Sequence, residues 1–274
     1  MSFTNMDNLI AGMAQRGERF WFSRETDEAI SNSHAQGTLC SLWATSGFPS
    51  PGVAPTTAAV CTKATTGALA NFTNPSGGEH CRLVDIDGVC SNGPGCAFLF
   101  DRLIHCGGLS GTNVGVQTIN TPAITRGDTT GVGVWVFFEN YTGGGGTSRI
   151  LSINYTNSAN ASGRTGTLTI PTNLIENGLI RMLGQAGDVG VKSVESVQLS
   201  GSTGTVGNFG ITMAWRICSL PTGAPGLSNT PYSRAGGALR YPRIEADACL
   251  WLVGGAPDSI SGVLQGGFSL FKTG

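Results

Sequence analysis

Alternation of apolar and polar positions is strongest in the middle of the chain. Phe209, Ile211, Met213, Trp215 and Ile217 alternate with Gly210, Thr212, Ala214 and Arg216. That is the period-two signature of a strand with one face on a core. Leu151, Ile153 and Tyr155 alternate with Ser152 and Asn154 in the same way. Over 131–141 both faces are apolar, with Val132, Val134, Val136 and Phe138 on one and Trp135, Phe137 and Tyr141 on the other. Such a strand needs cover on both sides, from a second sheet or another subunit. Further strands are predicted over 82–89, 97–105, 116–119, 166–170, 189–199, 248–253 and 259–271, and 174–183 fits either a strand or a short helix. Two glycine-rich clusters, 91–95 and 142–147, punctuate these runs, and the second reads as a hairpin tip.

The first 35 residues differ. Met6, Leu9, Ile10 and Met13 lie at helical spacing, Gly17 would end that helix, and a second short helix is predicted over 25–30. Between the two lies an aromatic cluster, Phe20-Trp21-Phe22. Residues 37–78 are rich in Gly, Pro, Ser, Thr and Ala, and Pro49, Pro51, Pro55 and Pro75 exclude long regular elements. The pattern predicts a mainly β chain, a β-sandwich or jelly-roll-like fold with a short helical N-terminal arm. Its expected divisions are an arm at 1–35, an extended Gly/Pro/Cys-rich segment with short strands at 36–96, and a main β-sandwich at 97–274.

Composition sharpens this picture. The chain has 274 residues, enough for a substantial core, yet only 12% are charged. That is about half the usual share. A soluble monomer ordinarily covers itself with both signs of charge, so much of this surface is expected to be Gly/Ser/Thr/Asn-rich or buried against partners. Net charge is −1, and Lys and Arg are scattered singly, which gives no footprint for nucleic acid. No apolar run is long enough for a transmembrane helix. The first twenty residues lack the basic and apolar regions of a secretory signal. Arginines such as Arg102, Arg126, Arg164 and Arg216 outnumber lysines, which suits buried or interfacial ion pairs.

There are eight cysteines: Cys40, Cys61, Cys81, Cys90, Cys96, Cys106, Cys218 and Cys249. They read as small buried thiols or as disulfide partners, including disulfides between subunits, and spacing cannot choose a connectivity. His80-Cys81 and His105-Cys106 are His-Cys pairs, but no CxxC or zinc-finger spacing occurs, so no metal site is assigned. Asp85-Ile86-Asp87-Gly88 begins like a calcium loop and lacks the later acidic ligands. Glu139, Glu176, Asp188 and Glu195 form no recognisable pair for acid–base work. There is no P-loop, GxSxG or HExxH. The Asn-x-Ser/Thr sequons at Asn71, Asn140, Asn154 and Asn160 are of the kind that arises by chance in such a chain. No catalytic residue and no cofactor are assigned, and an enzyme is not expected.

Several strings between Phe100 and Thr212 add a resemblance. They are Asp101-Arg102-Leu103-Ile104-His105, Gly108-Leu109-Ser110-Gly111-Thr112, Gln117-Thr118-Ile119-Asn120-Thr121-Pro122-Ala123, Gly131-Val132-Gly133-Val134, Tyr155-Thr156-Asn157, Ser162-Gly163-Arg164-Thr165-Gly166, and Gln185-Ala186-Gly187-Asp188 with Val197 to Leu199. Over about 40% of the chain they resemble virion structural proteins of tailed bacteriophages, of the head decoration, cement or linking type. The resemblance implies a β-sandwich protein on a phage particle, trimeric and without a cofactor. It transfers no functional residue, and the cysteine count is high for such a protein.

Two readings of function follow. The first is a capsid decoration or cement subunit on the capsid exterior, made in the host cytoplasm, whose partners are the major capsid protein and copies of itself, as a homotrimer. It would bridge neighbouring capsid proteins and resist internal pressure, with residues 1–35 reaching onto the shell. The second is a tail, collar or fibre component that presents Trp43, Trp135 or Tyr232 to a host-surface glycan.

Overall fold

The computed structural model describes residues 17–25, 39–91, 95–222, 241–255 and 262–273. Every element among them is a strand, so the mainly β expectation holds. The helix expected over 5–16 lies outside the described residues, as does the one expected over 25–30 except for Glu25, which ends a strand. Residues Gly17–Glu25, expected within the arm, form strand β1.

The centre is a closed ring of antiparallel strands. It comprises β2 (Leu39–Ser41), β6 (Gly95–His105), β8 (Val134–Asn140), β11 (Gly178–Arg181), β13 (Phe209–Thr222) and β15 (Leu250–Gly255). They follow the order β13-β8-β11-β2-β15-β6, and β6 pairs back onto β13. Strand β13 makes closure possible because it is long enough to pair with β8 along one edge and with β6 along the other. Register shifts between Met213/Ala214 and Arg216/Cys218 interrupt the β13–β6 ladder. Bulges of this kind increase local twist, which a small barrel requires. A two-residue strand, β4 (Ala59–Val60), adds to β6 outside the ring.

Two sheets pack on the outside of this ring. One contains β3 (Gly47–Phe48), β5 (His80–Cys90), β14 (Arg243–Ile244) and β16 (Val263–Thr273) together with β1, in the order β14-β5-β16-β1-β3. Its inner face brings Phe22, Ile86, Leu264 and Phe268 against Leu42, Leu99, Leu250 and Leu252 of the ring side. The other contains β7 (Gln117–Thr118), β9 (Arg149–Asn157), β10 (Arg164–Ile170) and β12 (Val191–Leu199), in the order β10-β9-β12-β7. Leu151, Ile153, Leu168, Val194 and Val197 from this sheet meet Val134, Val136, Phe138, Ile211 and Met213 of the ring. Strand β8 is therefore apolar on both faces for two separate reasons. One face packs on a sheet, and the other looks into the ring.

Strand pairing crosses both boundaries expected at 35/36 and 96/97. β1 and β5 each pair with β16, and β2 with β15. The glycine-rich segment 142–147 is not the hairpin tip expected of it. β8 belongs to the ring and β9 to the four-stranded sheet, so this segment carries the chain between layers. Gly144 and Gly145 sit against the backbones of Leu174 and Thr203, where a Cβ would collide. Close backbone approach, rather than a tight turn, is what these glycines supply.

Candidate functional site

Among the described residues, the ring interior holds a buried cluster of charged and polar groups. Inward positions on β6 are Phe98, Phe100 and Arg102, and those on β8 are Trp135, Phe137 and Glu139. The middle of the ring is filled by Phe100, Phe137, Trp251, Leu179 and Ala214. Phe100 and Phe137 meet edge-on, with centroids 5.5 Å apart. Toward one end lie Arg102 and Glu139, both 0% exposed. Arg102 Nη2 lies 2.8 Å from Glu139 Oε2, and Nη1 donates to Oε1 at 3.1 Å. Ser41 Oγ donates to Oε1 at 2.5 Å, Tyr141 OH donates to Oε2 at 3.1 Å, and the Thr212 hydroxyl also donates to Oε2. The guanidinium is held between two indoles, 4.4 Å from the Trp43 centroid and 4.8 Å from that of Trp251. Burial alone would raise the Glu139 carboxyl, but Arg102 and the hydroxyl donors outweigh it and hold the group below the ordinary carboxylate range. The site is a buried ion pair in which both carboxylate oxygens are hydrogen-bonded.

A second network adjoins it. Arg126 donates to Asp101 through Nε at 2.8 Å and Nη2 at 2.6 Å, and to the Cys61 carbonyl through Nη1 at 2.6 Å. Asp101 also accepts the Cys249 amide at 3.0 Å. Cys61, Cys249 and His105 converge here. Cys61 and Cys249 belong to one core cluster with Trp43, Phe100 and Trp251, and His105 meets Trp43 edge-on at 5.8 Å. The cleft lined by Trp215, Arg216, Pro242, Arg243 and Glu245 reaches Asp101, whose carboxylate is already occupied by Arg126.

All eight cysteines are free thiols. Cys40, Cys61, Cys81, Cys90, Cys106 and Cys249 are buried, Cys218 is half-buried and Cys96 is exposed. Among the described residues, no group of three or more His, Cys, Asp or Glu could hold a metal ion. Asp85 and Asp87 instead accept hydrogen bonds from Arg19 at 2.9 and 3.0 Å. The remaining acids stand apart from Glu139. Asp188 takes Tyr155, Asn157 and Arg164, while Glu195 takes Thr156 and Ser193. Of the aromatics expected to present a groove, Trp43 is buried, Trp135 is half-buried beneath Arg181, and Tyr232 lies outside the described residues.

The exposed aromatics are elsewhere. Trp21 on β1 is 59% exposed and Phe48 on β3 is 61% exposed. Ser23 pairs with Phe48, so both rings lie on the outer face of the five-stranded sheet. Arg19 stacks on Trp21 at 4.7 Å. Gly267, the cross-strand partner of Trp21, leaves room beneath the ring, since a Cβ there would come within 3.1 Å of the indole.

The sequence reading did not bring together Arg102 and Glu139. A signal was present, because Phe98-x-Phe100-x-Arg102 and Trp135-x-Phe137-x-Glu139 place opposite charges at the same point of two apolar inward rows. No local signal marked Cys61 and Cys249, which lie far apart in the chain.

No family model matches the chain, and no curated protein matches it. The solved structure of infectious bursal disease virus, Gx strain, aligns over 94% of this chain and 80% of its own. Identity is 10% and the TM-score is 0.18, a likeness that carries no argument about fold or function.

Proposed function

We propose that the protein is a virion structural subunit of the capsid decoration or cement type. It binds the major capsid protein and further copies of itself, as a homotrimer, on the capsid exterior. The observation that carries this reading is the outer face of the five-stranded sheet, where Trp21 and Phe48 stand exposed in a chain with only 12% charged residues. Large apolar groups concentrated on one sheet face suit contact with another chain. The strings between Phe100 and Thr212 support the virion assignment. In this reading the layered packing of sheets on the ring is a jelly-roll-like shell variant. The helically spaced residues ahead of β1 serve as the arm.

Light scattering on the purified chain tests self-association. The expected mass is about three times the 28.2 kDa of one chain, falling to one chain in Trp21→Ser/Phe48→Ser with the melting temperature unchanged. A monomer at every concentration refutes the homotrimer. Co-sedimentation with capsid shells tests the other partner, using a truncation that stops before Gly17, because β1 is integral to its sheet. Unchanged binding on that truncation removes the arm from the proposal.

A glycan-binding tail or fibre component is the second reading, favoured by the same Trp21 with Arg19, Asp85 and Asp87 beside it. A stacking platform edged by polar groups suits a sugar ring. Glycan-array binding lost in Trp21→Ala, with association unaffected, would select it.

A further inference from the structure

Two chain segments share one edge of β6, end to end. Ala59 and Val60 pair with His105 and Ile104, and the Cys61 amide donates to the Leu103 carbonyl at 2.9 Å. Further along the same edge and running the same way, Leu250 pairs with Asp101, and the Arg102 amide donates to the Cys249 carbonyl at 2.8 Å. The end of β4 and the start of β15 thus abut over Arg102–Leu103, with Cys61 on one side of the seam and Cys249 on the other. The Asp101–Arg126 pair clamps this seam. Asp101 takes the Cys249 amide, and Arg126 holds the carbonyls of Cys61 at 2.6 Å and Arg102 at 2.9 Å. The backbone groups at the seam are therefore satisfied without any contribution from the thiols. Both residues are 0% exposed, and both belong to one core cluster.

A structural buried cysteine sits among apolar groups, and its thiol is inert. Cys61 lies in an apolar cluster too, but it has the charge of Arg102 nearby and the Arg126 guanidinium on its own carbonyl. Burial pushes its thiol up, but the hydrogen bonds from Cys249 and His105 and the charge of Arg102 outweigh this and bring it below the ordinary thiol range. A thiolate beside a second thiol is the arrangement that oxidises to a disulfide.

We propose that Cys61 and Cys249 are a redox pair that closes to a disulfide across the β4–β15 seam when the protein meets a peroxide oxidant. The Cys61 thiolate attacks one oxygen of hydrogen peroxide. An S–O bond forms, the O–O bond breaks, and the departing hydroxide is protonated to water. The Cys249 sulfur then attacks Cys61. The S–S bond forms, the S–O bond breaks, and the hydroxyl leaves as water with the Cys249 proton. Two thiols are oxidised, and one peroxide is reduced to two waters. The new bond closes a loop of about 190 residues. It fastens one edge of the ring, a consequence independent of what the protein assembles with.

The test uses the full chain, reduced and then treated with one equivalent of hydrogen peroxide. Thiol titration in denaturant should fall from eight to six groups. Peptide mapping should find Cys61 joined to Cys249, and the melting temperature should rise on the order of 10 °C, reversed by dithiothreitol. In Cys249→Ser the oxidation should stop at a sulfenic acid on Cys61, trapped by dimedone. Absence of the Cys61–Cys249 peptide while the exposed Cys96 is oxidised would overturn the proposal, because the oxidant was then active. Should the serine variant fail to fold, the wild-type peptide map decides alone.

Discussion

Replacing Arg102 with methionine keeps much of the side-chain bulk between Trp43 and Trp251 and removes the charge that faces Glu139. The carboxylate would then be fully buried, with only the hydroxyls of Ser41, Tyr141 and Thr212 as donors. Removing one partner of a buried ion pair costs about 3–5 kcal/mol, because the other charge is left without compensation. Against a typical total stability of about 5–15 kcal/mol, that is about a fifth or more of the whole. Urea unfolding followed by tryptophan fluorescence measures it directly. Glu139→Gln should carry a similar cost, since it leaves the guanidinium buried without a countercharge. The double variant should cost less than the sum of the two by about 2 kcal/mol or more, because the second substitution removes the charge that the first exposed.

The same variants carry a pH signature of opposite sign. In the wild type the folded-state Glu139 pKa lies below its ordinary 4.5, so its contribution is present above that value and is lost as pH falls through the folded pKa. In Arg102→Met only the hydroxyl donors still oppose burial, which raises the carboxyl above 4.5, so the variant loses stability as pH rises through that range. The deficit of Arg102→Met should therefore be largest at neutral pH and shrink in acid. A variant within about 1 kcal/mol of the wild type, or single costs that add within about 0.5 kcal/mol, would refute the account of Arg102 and Glu139 as one unit.

Two further predictions concern backbone space and a second carboxylate. Gly210→Ala should destabilise by about 1–3 kcal/mol or prevent folding, since its Cβ would lie 1.7 Å from the Cys106 carbonyl oxygen. Gly143→Ala, whose Cβ meets nothing within 4 Å, should stay within about 0.5 kcal/mol of the wild type in the same denaturation assay. Asp188 is held below its ordinary 3.8 by hydrogen bonds from Tyr155 and Asn157 and by Arg164, so its contribution is present above that pH and lost below it. The melting temperature of Asp188→Asn should fall short of the wild type at neutral pH and converge with it as pH drops below that value; a constant gap would show that the charge is not involved.

Individual strands were legible in the sequence, but their partners were not. β8 shows why. Its two apolar faces are evident in the residue order, and both are covered, yet nothing local says that one cover is a sheet and the other the inside of a ring. The turn cluster at 91–95 similarly separates β5 from β6 without pairing them. β5 pairs with β16, far along the chain, because Ile86 and Phe268 need the same inner face. The candidate site follows the same rule. Arg102 and Glu139 each end an apolar row, a clue that period two alone carries, although the sequence reading did not join them. Cys61 and Cys249 meet only because two segments abut on one edge of β6, and that is decided by the closure of the ring. Trp21 was visible as part of an aromatic cluster, but its outward direction follows from pairing with Gly267.

The low charge of the chain means more once burial is known. Among 16 basic and 17 acidic residues, Arg24, Asp101, Arg102, Arg126 and Glu139 are all buried. Arg24 is 0% exposed, and three carbonyls, Thr45 at 3.2 Å, Gly67 at 3.1 Å and Ser50 at 3.5 Å, accept its hydrogen bonds; burial draws its pKa down to about 10. Charges that a monomer would keep outside for solubility are thus used inside, where they fix the loops around Trp43 and the end of the ring. The exterior is left with less charge than the composition suggests, while Trp21, Phe48, Val53 and Leu183 face outward. An interior that spends charge on rigidity and an exterior that lacks it are together poorly suited to a free monomer. They suit a subunit whose outer faces are covered by other chains, which is why self-association, and its dependence on Trp21 and Phe48, is the property on which the proposed role stands or falls.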